Sequence, residues 1–165
     1  MVEHGFADGQ KPLCTCSSSS TGIAAKSSLY DRENEILRAL FKIIQAANIY
    51  HFEFDEYLER FENLIRGHLK RREPVGSYNE KLIDDRFAKF LTDVGMYYIR
   101  KGHIQKESKY ILDSLEFSYT INFEINIVRC CTTMEHIQSK LNHDDLERYA
   151  EIRDKLKASG TLIHP

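Results

Sequence analysis

SYNEKLIDDRFAKFLTDVGMYYIRKGHIQKESKYILDSL, residues 77–115, decides the fold. Ser77 followed by Glu80 is a capping box: the serine oxygen accepts the Glu80 backbone N–H and the glutamate returns the bond. Leu82, Ile83, Phe87, Phe90, Leu91, Val94 and Tyr98 then recur every three or four positions, as on one face of a helix. Gly102 supplies the left-handed residue on which helices commonly end, and Arg100 and Lys101 suit the negative end of the helix dipole. Ile104, Tyr110, Ile111, Leu112 and Leu115 mark a second helix. The stretch therefore predicts a helical hairpin turning at Lys101-Gly102-His103.

Leu91, Val94-Gly95 and Tyr98, followed by Ile111 and Ser114, resemble the tetratricopeptide-type repeat over about one repeat, residues 77–115. The small residues Gly95 and Ser114 would let two helix backbones approach closely. The pattern departs from the family at Glu107, where a small alanine is expected, and at Tyr119, where a proline usually ends the helix. The resemblance implies a helical adaptor that binds protein partners.

Outward from the hairpin, Ser28 opens an earlier helix carrying Ile36, Leu37, Leu40, Phe41, Ile44 and Ala47, with Asn48 as its stop. A second begins near Asp55 and runs through Tyr57, Leu58, Phe61, Leu64, Ile65 and Leu69. Residues 119–128 alternate apolar and polar, the period of a strand, yet also fit a helix continuing to Leu141. The helix is preferred, because a lone strand would leave its backbone groups unpaired. Asn142 caps a last helix with Leu146, Tyr149, Ile152 and Leu156, closed by Gly160. The expectation is an all-α chain of five to six amphipathic helices, either a short helical-repeat array or an irregular helical bundle. Residues 1–27, rich in Gly and Ser, read as a disordered tail, 28–160 as a single helical domain, and 161–165 as a C-terminal tail.

The 23 Lys and Arg nearly balance the 25 Asp and Glu, which gives no overall pull toward nucleic acid or an acidic membrane. No apolar run approaches the roughly 20 residues needed to span a bilayer. Cys14-x-Cys16 and adjacent Cys130-Cys131 do not form a secreted disulfide framework, so a cytoplasmic or nuclear protein with reduced thiols is expected. Neither pair has zinc-ribbon spacing, and neighbouring helical cysteines point about 100° apart, so no metal or other cofactor is expected.

The seven histidines scatter over tails, helix ends and loops, and Asp84-Asp85 and Asp144-Asp145 read as solvated first turns or exposed faces. With no phosphate-cradling glycine loop, nucleophile elbow or HExxH, no enzyme is expected. The function expected is a non-catalytic interaction domain that holds a partner peptide or helix in a groove between helices. Its candidate contacts are the off-stripe aromatics Tyr97, Tyr110, Phe54 and Tyr50. The alternative is a nucleic-acid-associated helical protein using the basic helix end at Arg66, Lys70, Arg71 and Arg72. A third reading is an apoptosis-regulator-like groove protein, whose central helix would be Ile121–Leu141.

Overall fold

The structure, a computed structural model, describes the backbone of residues 20–70 and 78–161 and the side chains of residues 32–70 and 81–161. The described residues form seven α-helices and a single 3₁₀ turn, with no strand: α1 Ser20–Tyr50, α2 Asp55–Arg60, α3 Glu62–Leu69, α4 Tyr78–Lys101, α5 Ile104–Thr120, α6 Glu124–Ile137, the turn Gln138–Lys140, and α7 His143–Ala158. The fold is all-α, with seven helices among the described residues where five to six were expected. Its contacts divide it into Met1–Arg32 and Glu33–Pro165, and the packing described below belongs to the second unit.

The α4–α5 hairpin forms as its sequence predicts. Gly102 turns left-handed at φ +71°, the His103 N–H reaches back to the Tyr98 carbonyl, and α5 begins immediately. The Ser77–Glu80 capping box lies outside the described side chains. The other end of α5 uses the same device without a glycine. Asn122 takes φ +55° and the Phe123 N–H bonds the Ser118 carbonyl, which places a turn inside the helix expected over residues 119–141, so that α5 ends at Thr120 and α6 starts at Glu124. Residues 119–128 are therefore helix on both sides of a turn. The expected helix from Asp55 is also divided, at Phe61 (φ −109°, ψ 14°). The i to i−4 bonds Phe61–Tyr57 and Ile65–Phe61 persist through that kink. The first helix starts at Ser20 rather than Ser28 and runs on to Tyr50.

Two apolar cores result. The first collects Leu37, Leu40, Phe41 and Ile44 of α1, Phe54, Leu58, Ile65, and Phe87, Phe90, Leu91, Val94, Tyr97 and Tyr98 of α4, with Phe117 from α5. The second joins Ile111, Leu112 and Leu115 of α5 to Ile127, Cys130, Cys131 and Met134 of α6 and Tyr149, Ile152 and Leu156 of α7. α5 packs against α4, α6 and α7, so α5, not residues 121–141, is the central helix.

Small residues close the α4–α5–α6 seam. A Cβ on Gly95 would sit 2.7 Å from Ile111 Cγ1, so only glycine admits that side chain. Ser114 and Ser118 are wholly buried beside Thr92 and Asn126. Ser114 Oγ donates to the Ala88 carbonyl at 2.7 Å, and Asn126 Nδ2 donates to Ser114 and Ser118, each at 2.9 Å. Thr92 Oγ1 lies 2.8 Å from Ser114 Oγ. These partners satisfy polar groups that would otherwise be costly to bury. At the far end of the chain, Asn142 Oδ1 accepts the Asp145 N–H at 2.8 Å and caps α7 as expected.

Candidate interaction groove

α1 and α4 run side by side in the same direction. Phe41 meets Phe87 and Phe90, and a turn or two later Asn48 Nδ2 donates to the Asp93 carbonyl at 2.9 Å. Arg100 then covers the end of α1, donating to the carbonyls of Asn48 and Ala47 at 2.9 and 3.1 Å. Earlier along the pair, the two helices leave a groove of about 570 Å³ between them. Arg38, Lys42 and Gln45 line its α1 side, Arg86, Lys89 and Asp93 its α4 side, and the buried Phe41 and Phe90 its floor.

Helix α6 borders the groove. Lys89 Nζ stands 5.2 Å above the Phe123 ring, and Arg129 donates to Asp93 Oδ1 at 3.1 Å. Arg38 is held by Glu35 at 2.7 Å. Among the described residues, Lys42 and Arg86 have no ionic partner. Burial pushes the Asp93 carboxyl above its ordinary range, and Arg129 and Lys89 oppose that shift.

The four aromatic residues expected to form the binding face do not share a surface. Tyr97 is 1% exposed and Phe54 is wholly buried, both in the first core. Tyr110 is half-buried and stacked on Tyr98 at 5.7 Å, and Tyr50 is 75% exposed at the end of α1. Tyr97 is inside because α4 is covered on two sides, so residues off its main stripe are also buried. Its hydroxyl accepts the Phe54 N–H at 2.9 Å and donates to Asp55 Oδ2 at 2.8 Å.

Tyr98 donates to Asp55 Oδ1 at 2.7 Å, and Lys101 joins Asp55 at 2.7 Å and also Glu53. Burial alone would raise the Asp55 carboxyl. The bonds from Lys101, Tyr98 and Tyr97 outweigh it and hold the group well below the usual carboxylate range. Burial raises the hydroxyls of Tyr97 and Tyr98, and takes Tyr110 up to about 12 with help from Glu62 and Asp113. This cluster ties the loop before α2 to the end of α4.

Of the basic group, Arg66 is bonded to Glu62 at 2.8 Å. Lys70 is exposed at the rim of a second depression, where Arg148 holds both Asp113 and Glu116 at 2.8 Å. Arg71 and Arg72 lie outside the described residues, as do Cys14 and Cys16. Asp84, expected on a solvated turn, is buried instead, 2.8 Å from Nε2 of buried His68, whose ring lies 4.3 Å from Phe87.

Glu107, the departure from the repeat pattern, is also buried, and its Oε1 has no hydrogen-bond partner. Desolvation raises its carboxyl, opposed by Lys140. Among the described residues no three His, Cys, Asp or Glu side chains gather as a metal would require, and no helix is long and apolar enough to cross a membrane. The sequence suggests a groove between helices but not the residues that line this one, because Lys42 and Arg86 belong to helices far apart in the chain. Comparison with protein-family models, curated proteins and solved structures finds no match for this chain.

Proposed function

We propose that the chain is a non-catalytic interaction domain that receives a partner peptide or helix in the α1–α4 groove. The supporting observation is an open trough over the buried rings of Phe41 and Phe90, flanked by Lys42 and Arg86, which have no ionic partner among the described residues. Charged groups left uncompensated beside a concave surface favour association with a complementary partner. The α4–α5 pair is read as one tetratricopeptide-like unit, a reading supported by the approach of Gly95 to Ile111 and opposed by the buried Glu107. The test is to pan the protein against a displayed library of helical peptides about 18 residues long, five helical turns. Binders are then measured on Lys42→Glu/Arg86→Glu protein, with circular dichroism confirming its fold. Affinity is expected to fall about tenfold or more. Binders that hold equally well to the reversed groove would place recognition elsewhere and end this reading.

A further inference from the structure

We infer that the groove's occupant is an acidic amphipathic helix; this rests on the groove reading above. Arg38 and Lys42 stand one turn apart on α1, and Arg86 and Lys89 nearly one turn apart on parallel α4. The walls thus form two short rails of cations, at the spacing with which carboxylates recur along a helix. The chain as a whole is slightly acidic, at −2, so this local excess of positive charge is a matter of placement.

Carboxylates already fill the ends of the rails. Glu35 holds Arg38, and Asp93 of the groove wall is held by Arg129. Lys42 and Arg86, with no ionic partner among the described residues, offer the same chemistry to an incoming acid. Helix α6 also exposes apolar side chains within about a turn of Arg129, the α6 residue that holds Asp93 of the groove wall. Val128 is next to Arg129 in the chain and Ile125 four residues before it, and they are 56% and 76% exposed. A helix with one acidic flank and one apolar flank matches both features. A single-stranded nucleic acid matches them less well. It needs open aromatic faces on which bases stack, whereas Phe41 and Phe90 are buried.

The experiment compares each library-selected peptide with its Glu→Gln, Asp→Asn counterpart by fluorescence anisotropy, at roughly 50 and 300 mM salt. A single-stranded RNA of about 20 nucleotides, near the site sizes of single-strand binders, serves as the second polyanion. Selected peptides are expected to be rich in Asp and Glu and to weaken about tenfold both when neutralised and at the higher salt. They are also expected to lose affinity on Ile125→Ser/Val128→Ser protein. Neutral or basic peptides that need Lys42 and Arg86 would overturn the acidic occupant while leaving the groove reading intact. RNA that binds through the same two cations, with acidic peptides failing to bind, would overturn it in favour of nucleic acid.

Discussion

Gly95 shows how much one atom matters in this seam. Replacing it by alanine gains roughly 1 kcal/mol of helix propensity but drives a methyl into Ile111, which is wholly buried and has little room to yield. The net result expected for Gly95→Ala is a loss of about 1–2 kcal/mol in urea unfolding. In an Ile111→Ala background the clash disappears, and the same substitution should become neutral or stabilising. An unchanged penalty in both backgrounds would show that the glycine serves another purpose. Glu107, one turn before Ile111 on α5, is the opposite case: a carboxyl group buried with an oxygen left unsatisfied, at a cost of about 1–3 kcal/mol.

At the scale of elements, the join between α1 and α2 depends on Asp55. Its carboxyl is held below the value near 4 of an unfolded chain, so the stability it contributes is fully present above about pH 4 and is lost as pH falls through the folded value. Asp55→Asn should therefore cost about 1–2 kcal/mol at neutral pH, allowing for its partial exposure, and should flatten the decline in stability below about pH 4. Urea midpoints measured across acidic pH check this, and parallel curves for the two proteins would refute it. Asp93 and Glu107, raised by burial, work in the other direction: they oppose folding when ionised and cease to do so as they protonate. Elements with local signals could be read from sequence alone. The Gly102 turn and the Asn142 cap are written in adjacent residues. The turn at Asn122 was hidden because asparagine signals a left-handed residue only weakly, and the apolar pattern runs across it. The burial of Tyr97 was hidden because it depends on a loop more than forty residues away, which supplies Phe54 and Asp55 as its partners.

At the scale of the whole unit from Glu33 onward, two apolar cores meet along a polar seam, and the groove lies over Phe41 and Phe90 of the first core. Neither arrangement is legible in one helix, since each depends on which helices run parallel. The second core contains Cys130 and Cys131, both enclosed; burial raises the Cys130 thiol and takes Cys131 up to about 11. A protonated, enclosed sulfur reacts slowly with electrophiles, so alkylation must wait for α6 to lift from α5. With Cys14 and Cys16 replaced by serine, maleimide uptake followed by mass spectrometry becomes a clock for that opening. Its rate should rise steeply with dilute urea, and uptake at the speed of a free thiol peptide would mean that the second core stands open. The adjacent cysteines thus give the protein a built-in reporter of its own breathing, one that needs no knowledge of the partner.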